Sequence, residues 1–270
     1  TYPFERLAAS AGWRQALLGV GVTGCAIWVL AALFLQRCGR LRRRAGTHFG
    51  GWVKTVLCNR SYLLLTLSCS ITFAIGFLMQ ATLGKKFLQD VCGVPSSQAA
   101  GFTFTMMLAC MTGVFLSGMV AQRTRQRRPF VILAAGLILA AACLLLAGTQ
   151  FGWPRAFFLA CYALLGVAYS FTVFYATAAK ELNPREAAGT AIGLMNAGVY
   201  LMVALVTTLT GAILDAYGGQ AGPTGTAVIY PREAYRAVFI LCVALALVSC
   251  VCAYAVRERD RQEAGAAVTA

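Results

Sequence analysis

The stretch FVILAAGLILAAACLLLAGTQ, residues 130–150, contains no charged residue, and Arg123, Arg125, Arg127 and Arg128 stand just before it. A helix rising about 1.5 Å per residue needs about 20 apolar residues to cross a hydrocarbon layer ~30 Å thick. Within lipid only a helix or a closed barrel satisfies its own backbone polar groups, so this run predicts a spanning helix. Six further runs of the same kind occupy 13–36, 61–83, 98–121, 155–179, 187–214 and 236–256. The segments between them are short. The expected fold class is therefore an all-α polytopic membrane protein with seven transmembrane helices.

Composition points the same way. The chain is 59% hydrophobic and 12% charged, with a mean hydropathy of +0.71. A soluble domain carries about 25% charged residues, so this surface is too apolar for water. The net charge of +14 would suit a nucleic-acid partner, but its distribution excludes one. Basic residues alternate between dense and sparse connections. Segments 37–60, 122–129, 180–186 and 257–270 hold seven, four, two and three Lys or Arg, and the opposite side holds the other seven. The positive-inside rule then puts the N-terminus outside and the C-terminus in the cytoplasm, as seven spans require. The inner (cell) membrane of a bacterium is the expected location.

The spans contain none of the usual catalytic groups. All nine acids (Glu5, Asp90, Glu181, Glu186, Asp215, Glu233, Glu258, Asp260, Glu263) lie away from span centres. No carboxylate pair or nucleophile–histidine pair is available for intramembrane hydrolysis, so enzymatic function is not expected. Eight of eleven cysteines fall inside spans, where Cys packs as a small apolar residue. No CxxC spacing occurs and His48 stands alone, so neither a metal nor another cofactor is expected.

Uncharged hydrogen-bonding groups at mid-depth are the remaining signal. Asn196, Tyr200, Thr207 and Thr210 share one face of 187–214; Tyr169 and Ser170 lie in 155–179, and Thr72 and Gln80 in 61–83. A primary amide has four hydrogen-bonding sites to satisfy, so Asn196 is the most demanding of these in hydrocarbon. The candidate solute-binding residues are Asn196, Tyr200, Tyr169, Ser170, Thr72 and Gln80. The spans at 61–150 and 155–256 form two groups of three. Because three is odd, the second group enters from the opposite side, as in inverted-repeat transporters. The connection 37–60 is strongly basic, and Phe49, Trp52, Val53, Val56 and Leu57 follow the spacing of one helical face. An amphipathic helix on the inner membrane surface is expected there, with Trp52 at headgroup level.

The loop closing the third span resembles the signature loop of the major facilitator superfamily. There a Gly is followed four residues later by an acid and then by basic residues. Gly118, Arg123 and Arg127 match that pattern, while Gln122 replaces the acid and Arg125 a second Gly. Trp13 and Arg14 look like the start of the family's sixth helix. Residues 87–93 with 98–101 resemble the loop between its helices seven and eight, and 181–184 with 188–193 and Asn196 resemble the start of helix eleven.

The resemblance implies a C-terminal half of a secondary transporter, helices six to twelve. Residues 1–36 would be the last helix of an N-terminal bundle whose remainder precedes Thr1. Residues 37–60 would be the cytoplasmic linker, 61–256 a six-helix bundle of two inverted three-helix repeats, and 257–270 a cytoplasmic tail. It also implies a conformational loop at Gly118, Gln122, Arg123 and Arg127, and sliding helices eased by Gly101, Gly113, Gly118, Gly189, Gly193 and Gly198. The implied partners are a small-molecule solute, the lipid bilayer and the missing N-terminal bundle. The solute would be a small polar metabolite, with an organic anion as one option, carried by alternating access. A heptahelical receptor or sensor has the same span count and is the alternative.

Overall fold

A computed structural model describes residues 12–37, 49–123, 127–221 and 228–256. The chain divides into two units, Thr1–His48 and Phe49–Ala270. In the first, helix α1 (Trp13–Arg37) exposes nearly all of its apolar side chains, and Gly19, Gly21 and Gly24 have open space around them within that unit. The basic cluster between Arg40 and Arg44 and the tail from residue 257 lie outside the described residues.

The second unit begins with α2 (Phe49–Leu57) and continues with α3 (Arg60–Phe77), which a π turn extends through Leu78–Thr82. Next come α4 (Gly84–Cys92), α5 (Ser96–Arg123), α6 (Arg128–Phe151), α7 (Arg155–Ser170) and α8 (Val173–Glu181). A 3₁₀ turn at Arg185–Ala187 leads into α9 (Ala188–Ala216). A two-residue ladder of β1 (Gln220–Ala221) and β2 (Val228–Ile229) then precedes α10 (Arg232–Ala255). With α7 and α8 taken as one broken span, seven helices among the described residues are long and apolar enough to cross a membrane.

Packing follows a two-fold pattern. Helix α3 packs chiefly on α9 and α10, α7 chiefly on α5 and α6, and α6 on α10. Exchanging α3 with α7–α8, α5 with α9 and α6 with α10 maps each contact onto another. Two three-helix repeats therefore make the bundle. Two apolar clusters are stacked along it: one around Tyr62, Leu65, Ala134 and Met195 at the α2 end, the other around Phe87, Tyr162, Tyr235 and Phe239 at the α4 end.

Three expectations need revision. Helix α2 does not simply lie on lipid: Val56 is fully buried and Trp52 packs with it against the bundle, so its apolar face is shared with protein. The segment after the second span forms α4, because Phe87 and Leu88 give it one apolar side that the core buries. The last helix starts at Arg232, not 236, since its first-turn charges sit beyond the apolar layer.

The glycines also sort differently. Among those expected to ease sliding, Gly101, Gly118, Gly189 and Gly193 meet nothing, whereas Gly113 faces Ser170 and Gly198 faces Thr66. The tightest helix crossing is at Gly166 of α7, where a Cβ would collide with the Met106 carbonyl and lie 2.8 Å from Ala109 Cβ on α5. Small residues at such crossings let backbones approach closely. Gly166→Val should therefore destabilise the protein by about 1–3 kcal/mol, the usual cost of overpacking. Gly136→Val, at a glycine with open space, should not; thermal melting of both purified variants checks the contrast.

Candidate functional site

Both repeats interrupt their first helix. In α3 the ladder widens to i→i+5, with the Leu83 amide bonding the Leu78 carbonyl at 2.7 Å. Between α7 and α8 it tightens instead, and Phe171, Thr172, Phe174 and Tyr175 each donate to the carbonyl three residues back. Counted from the helix starts at Arg60 and Arg155, both interruptions fall in the second half of the span, the second slightly earlier than the first. Interrupted helices at corresponding positions of two repeats are the expected mark of a binding region in transporters.

Hydroxyls repair the second interruption. Ser170 Oγ donates to the Val167 carbonyl at 2.6 Å and Thr172 Oγ1 to the Tyr169 carbonyl at 2.7 Å. Gly113 on α5 makes room for Ser170, since a Cβ there would lie 2.7 Å from Ser170 Cβ. Ser170 is therefore buried and engaged with its own helix, turned away from open space.

Thr72 is turned inward in the same way. It is 0% exposed, in a buried hydroxyl cluster that ties α3 to α8 and α10. Ser249 Oγ lies 2.9 Å from Ser68 Oγ and 3.1 Å from Thr72 Oγ1. Tyr175 OH lies 3.2 Å from Ser68 Oγ and 3.4 Å from Thr72 Oγ1, and can donate to the Val131 carbonyl of α6 at 3.4 Å. Every hydroxyl here has a protein partner, as a group kept from water and lipid requires.

The other four expected residues lie on α3, α7 and α9. Phe73 is the hub, with its ring 5.0 Å from Tyr169, 6.0 Å from Tyr200 and 6.2 Å from Phe77. Tyr200 is 62% exposed, and Asn196 is exposed one turn before it on the same face of α9. Gln80, two turns beyond Phe73, donates to Met107 Sδ of α5 at 2.7 Å. Gly76 makes the arrangement possible, because any Cβ there would collide with the Tyr169 ring. The result is an aromatic floor with phenol and amide groups at its margin. Among the described residues, no Asp, Glu, Lys or Arg belongs to it. Sequence reasoning missed Phe73, Phe77 and Gly76; their i, i+4 and i+3 spacings from 73 are visible only once Tyr169 and Gln80 are known to share that side.

Among the described residues, ion pairing is confined to the bundle ends. At the α2 end Arg127, just before α6, faces Glu181 of α8 at 3.5 Å, and Arg128 Nη2 donates to the Tyr254 carbonyl at 2.8 Å. Asn59 caps α3 through the Tyr62 amide and donates to the Leu182 carbonyl at 2.9 Å. Gly118 has open space around it, and the side chains of Gln122 and Arg123 lie outside the described residues. At the α4 end Asp90 pairs with Lys86 at 2.6 Å and accepts from Tyr235 OH at 2.7 Å.

Comparison with known proteins fixes the family. The model of the major facilitator superfamily matches residues 6–207 and again 155–269. The chain belongs to the major facilitator superfamily. The second match starts at α7, the first helix of the second repeat. Among solved structures, the inward-open xylose transporter XylE from E. coli is 18% identical, with a TM-score of 0.55 over 74% of this chain and 48% of its own. The D-xylose-proton symporter gives 17% identity and a TM-score of 0.57 over 78% and 51%. A bacterial homologue of the human lysosomal transporter Spinster, inward-facing and occupied, gives 18% and 0.51 over 91% and 57%. These likenesses establish the fold. The chain spans about half the length of the solved transporters it matches. No curated protein is similar enough in sequence to count as a match. Family membership replaces the heptahelical receptor reading.

Thr72→Val tests whether this hydroxyl serves packing. Loss of one interhelical hydroxyl should cost about 0.6–1.7 kcal/mol of stability and leave the KM of the intact transporter unchanged. Melting and uptake kinetics measured on the same variant check both halves.

Proposed function

We propose that this chain is the C-terminal part of a secondary transporter that moves a small polar solute by alternating access. The observation that carries the reading is the aromatic–amide face of Phe73, Tyr169, Tyr200 and Asn196, beside the interruption that follows Ser170. A solute with a flat apolar side would stack on the rings and bond the phenols and amide at its polar edge. The face carries no cation to neutralise an organic anion, so an uncharged or internally balanced solute suits it better. Sugars, such as the xylose carried by XylE and the D-xylose-proton symporter, are of that kind. The reading assigns no catalysis to the chain. Its N-terminal sister bundle would supply the opposite wall of the passage.

Orientation belongs to the same proposal. With basic residues dense in 37–60 and 122–129, the α2 end faces the cytoplasm and the α4 end the outside. Arg127 with Glu181, and Arg128 with Tyr254, would then brace the cytoplasmic end of the bundle.

In the intact transporter, Asn196→Leu should reduce uptake about tenfold or more, the effect expected when a desolvated solute hydrogen bond is lost. Membrane insertion and melting should not change. Uptake at the parental rate would remove Asn196 from the site.

A further inference from the structure

At the α4 end, segments from α4, α6, α7 and α10 surround a cavity of about 200 Å³. Liquid water occupies about 30 Å³ per molecule, so the space exceeds a single solvent site several-fold. Two cations enter it from helix starts distant in sequence, Arg155 from α7 and Arg232 from α10. Gly152 ends α6 with φ of +66°, and a Cβ there would lie 3.2 Å from Arg232 Nη1. The Arg232 guanidinium thus rests over a bare backbone position on the link to α7. Cys92 closes α4 at the same cavity. Burial pushes its thiol up, while Arg155 and Arg232 together draw it part of the way back.

Among the described residues, neither guanidinium has a hydrogen-bond or carboxylate partner; the ion pairs there join Lys86 to Asp90 and Arg127 to Glu181. Glu233, exposed in the first turn of α10, pairs with neither. Helices α7 and α10 both start after a proline and have no side-chain cap, so their leading amides add positive potential. The wall beside the cations is aromatic. Phe151 and Trp153 are exposed and stacked 6.1 Å apart, and Trp153 meets Phe157 edge-on at 4.3 Å. Such rings sit at the headgroup level of a bilayer.

We propose that this cavity holds the phosphate of a net-anionic phospholipid headgroup, with Arg155 and Arg232 taking its oxygens and Trp153 and Phe151 lying along the glycerol boundary. Arginine suits this role because its planar fork bonds phosphate oxygens in pairs. The assignment is independent of the transported solute. The same two cations could also bind free phosphate, and the test separates the two sources.

The intact transporter is placed in nanodiscs of phosphatidylcholine, with or without phosphatidylglycerol, and alkylation of Cys92 by N-ethylmaleimide is followed by peptide mass spectrometry. Phosphatidylglycerol should slow Cys92 about tenfold, as expected for a site closed by charge-assisted bonds. Exposed Cys58 at the α2 end should be unaffected. Removing the cations alters the Cys92 thiol itself, so each variant is judged by its own ratio with and without the lipid. That ratio should fall to one in Arg155→Gln/Arg232→Gln and stay above one in Arg155→Lys/Arg232→Lys. Equal Cys92 rates in the two bilayers, or full protection in the glutamine variant, would overturn the proposal. So would protection by inorganic phosphate in phosphatidylcholine alone, which would assign the cavity to a soluble anion. Should the glutamine variant fail to fold, the comparison of bilayers with the parental protein still decides.

Discussion

A helix interrupted inside an apolar solvent must find new partners for every carbonyl it frees. This bundle does so twice, at Leu78–Thr82 and at Phe171 and Thr172. Hydroxyls from Ser170 and Thr172 serve the second interruption, and a widened ladder closing on Leu83 serves the first. Much of the remaining polar chemistry at mid-depth follows from that need. Residues that satisfy the protein's own backbone and cross-helix hydroxyls are turned inward, which leaves Asn196 and the phenols of Tyr169 and Tyr200 at the margin of the aromatic floor.

The same constraint explains how the two repeats are locked. Ser68, Thr72, Tyr175 and Ser249 join α3, α8 and α10 through one shared set of hydrogen bonds, and Tyr175 reaches α6 as well. Each bond is modest, roughly 1 kcal/mol between membrane helices. The set ties the first helices of the two repeats together and ties each of them to the third helix of the other repeat. Movement of this bundle against a sister bundle would leave the cluster intact, because none of its members reaches the surface.

Spans were legible from the sequence because length and hydropathy alone define a helix in lipid, as 130–150 shows. Their ends were less so: charges at Arg232, Glu233 and Arg236 belong to helix α10 but lie beyond its apolar layer. The interruption at Phe171 and Thr172 carried no proline or glycine to announce it. Polar residues could be located in depth but not in direction, so Thr72 and Asn196 both stood as solute-binding candidates until packing turned one inward and left the other exposed. The glycines failed for the same reason. Gly166 and Gly76 are tight and Gly193 is open, and only the rotation of each helix decides which.

The most direct test of the account is aqueous accessibility within the bilayer. In the intact transporter, Phe73, Tyr200, Ser68 and Thr72 are replaced singly by cysteine, and a membrane-impermeant methanethiosulfonate is applied from both sides. Cysteine at 73 and 200 should react, and cysteine at 68 and 72 should stay inert. Reaction at 68 and 72 with none at 73 and 200 would contradict the assignment of the aromatic face to the solute path.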